Sequence, residues 1–133
     1  VALHKIDVKN IVFCAPDYFL PDTIPQHITV ESNIDIALQG ADVIYGVRVQ
    51  KERINQDENL PIDDYIASYC LTKKRLGSAK PNCIVMHPGP VNRGVEMDSE
   101  VIDLPGQSKI LTQVENGIYV RMAILLWALN LQS

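Results

Sequence analysis

The chain has 133 residues, 47% hydrophobic and 21% charged, with a formal charge of −4, which fits one domain around a single modest core. The acidic excess, with no basic stripe against it, argues against nucleic acid as the main partner. The longest apolar run, Met122 to Leu129, is far too short to span a bilayer and no signal peptide is visible, so a soluble, cytoplasmic domain without a membrane partner is expected.

In chain order, Val1 to Ile6 resembles the last turns of a helix, and Asp7 to Asn10 is a polar turn. Ile11-Val-Phe-Cys-Ala15 is a continuous apolar run closed by Pro16, which predicts a strand covered on both faces, as in parallel sheets. Pro16, Pro21 and Pro25 mark an irregular connection before the short β-branched segment His27 to Val30. Glu31 to Asp35 offers caps for a short helix through Leu38, ended by Gly40. Ala41 to Val49 is a second buried strand that changes character at Arg48. Lys51 to Pro61 is polar and charged, the composition of a surface loop. Residues 62 to 76 predict one helix, with Ile62, Ile66, Tyr69 and Cys70 on a shared face and Gly77 as its stop. Asp63 and Asp64 in its first turn, and Lys73, Lys74 and Arg75 in its last, suit the helix dipole.

Ile84-Val-Met86 is a further buried strand that stops at His87, where Pro88 and Pro90 flank Gly89. Each proline fixes φ and lacks an N–H, and the glycine allows close backbone approach. A stiff loop with free carbonyls at a strand's carboxyl end is where open α/β sheets bind ligands; a rigid strand exit is the plain alternative. Val101 to Ser108 reads as a loop. The last helix spans about Thr112 to Leu131 and, apolar nearly all round after Arg121, must lie between other elements. Tyr119, Met122 and Trp127 are assigned to the core. Strands alternating with helices predict an α/β fold with a doubly wound, mostly parallel sheet flanked by helices. Cys14, Cys70 and Cys83 are widely spaced with no Cys-x-x-Cys pair, and buried free thiols are expected.

Two clusters carry chemistry. In an extended stretch Arg48 and Gln50 point to the same side, where Arg48 can hold a carboxylate through two parallel N–H bonds and Gln50 can add a donor or acceptor. A solvated basic strand end, with Glu52 pairing Lys51 or Arg53, is the plain reading. His87 can serve as an acid–base group or as structural support for its loop. Asn92, Arg93 and Glu96 suggest a polar network beneath that loop, with Arg93–Glu96 a candidate pair. No metal-ligand spacing, phosphate-binding loop, dinucleotide fingerprint or nucleophile elbow is present, so neither metal nor cofactor is called for.

Val47-Arg-Val-Gln-Lys-Glu-Arg53, Met86-His-Pro-Gly-Pro-Val-Asn-Arg-Gly-Val-Glu96 and Gln113-Val-Glu-Asn-Gly-Ile-Tyr-Val-Arg-Met-Ala123 together resemble the aspartate carbamoyltransferase family. The resemblance covers nearly all of residues 1 to 133, but only as that enzyme's C-terminal, aspartate-binding domain. It implies an enzyme of de novo pyrimidine synthesis that transfers the carbamoyl group of carbamoyl phosphate to L-aspartate. Arg48 and Gln50 would bind aspartate, and Gly89 and Pro90 would present backbone carbonyls to the amide of carbamoyl phosphate. Residues 51 to 61 would close over substrate, and the last helix would dock against the carbamoyl-phosphate domain. The family's Ser-x-Arg-Thr phosphate motif, its catalytic histidine and the lysine lent by a neighbouring subunit have no counterpart here, so no catalytic residue is assigned. The domain's first strand is also missing, which would leave the strands at 11–15 and 43–49 without a common neighbour. The expected partners are the substrates, the N-terminal carbamoyl-phosphate domain and, in the complete chain, a homo-oligomer of trimer type. The isolated chain is expected to be inactive, the alternative being a non-catalytic binding or assembly module.

Overall fold

The computed structural model describes residues 7–50 and 62–129. Its elements are β1 (Ile11–Cys14), a 3₁₀ turn at Asp17–Phe19, β2 (Ile28–Glu31), α1 (Ile34–Ala37), β3 (Val43–Tyr45), α2 (Ile62–Tyr69), α3 (Lys73–Leu76), β4 (Ile84–Met86), α4 (Ser99–Ile102) and α5 (Ile110–Ala128). Every strand pairing is parallel: β1 with β2, Ile11 opposite Ile28, and β3 with β4, Val43 opposite Ile84.

The parallel α/β class is as expected, but the strands form two separate pairs rather than one sheet, and β1 and β3 share no neighbour among the described residues. The predicted burial therefore fails for β1 and β3, and β2 is open as well. Val12, Phe13, Val30, Val43 and Tyr45 are exposed, because their faces of the two strand pairs are not covered by other described elements. Only β4 is covered, with Val85 at 0% exposure. It is flanked by β3 on one side and by Ser108, through an isolated parallel bridge, on the other.

The main core lies against β4 and unites Leu38, Leu71, Leu76, Val85, Met97, Val101 and Ile110. A smaller cluster joins Val49 and Val95 to Ile62, Tyr65 and Ile66. At roughly 1.5–3 kcal/mol per large apolar side chain fully removed from water, these two clusters hold the elements together. α1 begins as expected: Asn33 Oδ1 accepts from the Asp35 and Ile36 N–H groups at 2.9 and 3.4 Å, and Gly40 follows at φ +67°.

The single helix expected over 62–76 is two. α2 stops at Tyr69 because the Leu71 N–H donates to the Glu96 carbonyl at 2.9 Å, and Leu71 bridges Met97. Thr72 then caps α3, its Oγ1 accepting from the Arg75 N–H at 3.2 Å. Gly77 ends α3 at φ −62°, in right-handed rather than left-handed geometry. The loop expected at 101–108 opens with α4. Cys70 and Cys83 are buried free thiols, while Cys14 is only half-buried. Burial is the main reason the Cys70 thiol is pushed up to about 11.

α5 departs most from expectation. The Lys109 backbone N–H donates to the Val85 carbonyl at 2.8 Å, Ile110 enters the core and Gln113 reaches the ends of β3 and β4, but from Ile118 onward the helix is exposed. Tyr119, Met122 and Trp127, assigned to the core, are exposed at 63, 55 and 69%. Nothing in the described chain covers that apolar surface. No helix among the described residues is long and apolar enough to cross a membrane.

Candidate functional site

Three stretches converge at the carboxyl ends of β3 and β4. The first leaves β3. The Gly46 N–H donates to the Met86 carbonyl at 2.9 Å, prolonging the β3–β4 contact. A side chain at Gly46 would collide with the Met97 methyl and come within 3.0 Å of His87 Cδ2, so only glycine lets the two stretches approach this closely. Beyond it Val49 is buried against Val95, with Ile62, Tyr65 and Ile66 around the pair. On either side of that anchor Arg48 is half-buried and Gln50 exposed. Lys51, Arg53 and the loop expected over 51–61 lie outside the described residues.

The second stretch leaves β4. His87 is fully buried. Its N–H donates to Gln113 Oε1 at 2.9 Å, and its Nδ1 accepts from the Gly89 N–H at 3.0 Å. That acceptor role places the ring proton on Nε2, which lies 3.5 Å from Glu96 Oε1. Burial pushes the imidazole below its usual 6.5, with Glu96 acting in the opposite sense. A neutral, enclosed ring that caps its own loop is a support and not a surface acid–base group. Gly89 sits at φ +68° and the Gly89–Pro90 peptide is cis. Neither carbonyl of that pair accepts a hydrogen bond among the described residues.

The third stretch is the start of α5. Gln113 also donates through Nε2 to the Tyr45 hydroxyl at 3.1 Å, so one side chain ties the end of β3 to the loop after β4. Its partners lie 26 and 68 residues away, a linkage no spacing in the sequence announces. The predicted Arg93–Glu96 pair is not formed. Arg93 instead makes a two-bond fork to Asp103 at 2.6 and 2.8 Å. Both groups are exposed, and the shared hydrogen bonds are the main reason the Arg93 guanidinium is raised and the Asp103 carboxyl lowered. Glu96 turns inward: its Oε1 accepts the Asn92 N–H at 2.7 Å. Asn92 Nδ2 then donates to the Val49 carbonyl at 3.0 Å.

Arg48 and Gln50 are thus joined to the Gly89–Pro90 loop through Val49 and Asn92. A guanidinium can take a carboxylate in two parallel bonds, and carbonyls without a partner can accept from an amide. A small hollow of about 160 Å³ opens beside the loop, lined by Pro88, Gln113, Val114, Gly117 and Arg121. A larger cleft, about 680 Å³, lies elsewhere, near Asp35, Cys70, Arg75 and Asp98. Its principal cation is already engaged, since Arg75 donates to the Cys70 and Ala67 carbonyls at 2.7 and 2.8 Å and pairs with Asp35 at 3.4 Å. The site is better placed at the strand ends.

The aspartate/ornithine carbamoyltransferase, Asp/Orn binding domain, model matches residues 8–128. Over 122 residues the chain is 50% identical to the aspartate carbamoyltransferase catalytic subunit of Legionella pneumophila (strain Lens), covering 91% of this chain and 40% of that protein. It is 48% identical to the corresponding subunit of Koribacter versatilis over 126 residues, 92% of this chain and 41% of that protein. The Trypanosoma cruzi aspartate transcarbamoylase structure in complex with carbamoyl aspartate and phosphate superposes with a TM-score of 0.69 at 28% identity, over 88% of this chain and 39% of that one. The anabolic ornithine carbamoyltransferase of Campylobacter jejuni gives 0.73 at 19% identity, over 92% and 44%, a likeness of fold alone. The chain spans about 40% of the length of the curated relatives it matches.

Proposed function

Because the chain belongs to the aspartate/ornithine carbamoyltransferase family, matching its Asp/Orn binding domain, we propose that it is the aspartate-binding part of an aspartate carbamoyltransferase. In that reaction the unprotonated amine of L-aspartate attacks the carbonyl carbon of carbamoyl phosphate. A C–N bond forms, the bond from that carbon to the bridging oxygen breaks, and phosphate leaves with that oxygen as the nitrogen gives up a proton. Arg48 grips an aspartate carboxylate with Gln50 beside it, and the Gly89 and Pro90 carbonyls accept from the carbamoyl amide. Holding the two reactants adjacent and oriented supplies effective molarity.

The observation that carries this reading is the Asn92–Val49 hydrogen bond at 3.0 Å, which joins a carboxylate-binding segment to a loop with open carbonyls. The choice of aspartate over ornithine is supported by identities of 48–50% to relatives named aspartate carbamoyltransferase. On this reading the chain takes part in de novo pyrimidine synthesis in the cytoplasm. It works with a carbamoyl-phosphate domain that contributes the phosphate cradle, in a homotrimer. The exposed apolar length of α5 is the surface suited to meeting that domain. These 133 residues alone turn over no carbamoyl phosphate.

The test mixes the chain with a separately expressed carbamoyl-phosphate domain of a relative and supplies carbamoyl phosphate with aspartate or ornithine. Carbamoyl-aspartate should form and citrulline should not. Citrulline formation, or dicarboxylate binding with no turnover in any mixture, would refute the reading, the latter favouring a binding module.

A further inference from the structure

Glu96 is a carboxylate that the proposed chemistry does not use, yet it is buried, at 5% exposure. Removing a carboxylate from water is costly unless its oxygens are hydrogen-bonded. Here the chain holds it firmly. The Glu96 carbonyl accepts from the Leu71 N–H at 2.9 Å, which pins the residue to the segment after α2. Its Oε1 accepts the Asn92 N–H at 2.7 Å and lies 3.5 Å from His87 Nε2. Its Oε2, also buried, accepts nothing among the described residues, so the work falls on one oxygen.

One hydrogen bond, to Asn92, and one packing approach, to His87, leave that oxygen; His87 Nε2 lies 3.5 Å away and makes no hydrogen bond among the described residues. Asn92 passes to the Val49 carbonyl at 3.0 Å, between Arg48 and Gln50. His87 passes to the Gly89 N–H at 3.0 Å. We infer that Glu96 is the positioning residue that sets the spacing between the Arg48–Gln50 segment and the Gly89–Pro90 loop, acting through Asn92 and His87. What those segments hold rests on the proposed function; the coupling between them rests on geometry alone. A residue that merely filled the core would change stability without moving these two segments together.

The test uses the full 133-residue chain, labelled for amide NMR and hydrogen exchange, in three forms: wild type, Glu96→Gln and Glu96→Ala. The glutamine keeps a carbonyl acceptor where Oε1 stands. The alanine removes it. In Glu96→Ala the Asn92 amide should lose protection by about tenfold, the yield of one lost hydrogen bond to a charged group. The amides of Gln50 and Gly89 should shift with it. Glu96→Gln should restore protection to within about threefold and keep those amides near their wild-type positions. If Glu96→Ala proves unfolded, Asn92→Ala takes its place and should shift Gln50 while leaving Gly89 in position. Unmoved Gln50 and Gly89 amides, or a glutamine variant as disturbed as the alanine one, would overturn the inference. Succinate titration of the same samples, with the carbamoyl-phosphate domain and carbamoyl phosphate supplied, separates the two claims. If the amides move as expected and no form binds succinate, Glu96 still positions the segments and the assignment of Arg48 and Gln50 fails.

Discussion

Gly46→Ala places a methyl where the exit of β3 passes closest to its neighbours. A Cβ at that position would overlap the Met97 methyl and sit 3.0 Å from His87 Cδ2. Both neighbours are buried, Met97 at 1% and His87 at 0% exposure, so the flexible end of Met97 must repack to admit the methyl. Forcing a methyl into packed surroundings costs about 1–3 kcal/mol. For a chain of this length each kcal/mol lowers Tm by roughly 3–5 °C, so thermal denaturation followed by circular dichroism should show a drop of about 3–15 °C. The cause is steric and can be isolated. Met97→Leu removes the colliding methyl at a cost below about 1.5 kcal/mol, and in that background Gly46→Ala should cost measurably less. Gly40→Ala is a further control. Its site is open, with nothing within 4 Å, but φ is +67°, so it should cost about 1–2 kcal/mol from backbone strain and show no coupling to Met97. A Tm for Gly46→Ala within 1 °C or so of wild type, or no coupling to Met97, would refute the close approach of β3's exit to the loop.

Other outcomes follow from the same geometry. His87 is held below its usual 6.5, chiefly by burial. Below that pH the unfolded chain takes up a proton that the folded chain refuses, and stability falls as pH drops from 6.5 through the lowered folded value. Urea denaturation should therefore give a smaller unfolding free energy at low pH, with a weaker dependence in His87→Asn; identical slopes would refute this. Thr72→Ala removes the cap of α3 and should cost about 0.5–2 kcal/mol in the same assay. An unchanged midpoint would show that the cap contributes nothing. Trp127, at 69% exposure, should fluoresce like a solvated indole and be readily quenched by acrylamide. A blue-shifted, shielded signal would mean that α5 is covered.

Local physics made part of this fold legible from sequence. Apolar runs located β1, β2 and β4, and a capping residue located the start of α1. The end of α2 was not visible, because helical periodicity continues through Cys70 while a tertiary bond from Leu71 to Glu96 breaks the helix. Length misled for β3, since the apolar run to Val49 contains a strand that stops at Tyr45. Apolarity misled for α5, where a face that reads as core lies open. Within the candidate site, Arg48, Gln50, Gly89 and Pro90 stood out by residue type. Gln113 did not, because its partners are remote in sequence. Glu96 was drawn toward Arg93 by proximity along the chain, whereas Arg93 found Asp103 at the surface and left Glu96 to His87 and Asn92 within.

The central claim is that Arg48 binds an aspartate carboxylate beside the Gly89–Pro90 loop. With the carbamoyl-phosphate domain supplied, kcat/KM for aspartate should be compared between the wild-type chain and Arg48→Ala. Loss of a charge-assisted, two-bond contact should lower it by about 10- to 100-fold, with the KM for carbamoyl phosphate little changed. Equal values of kcat/KM for aspartate in the two chains would contradict the account.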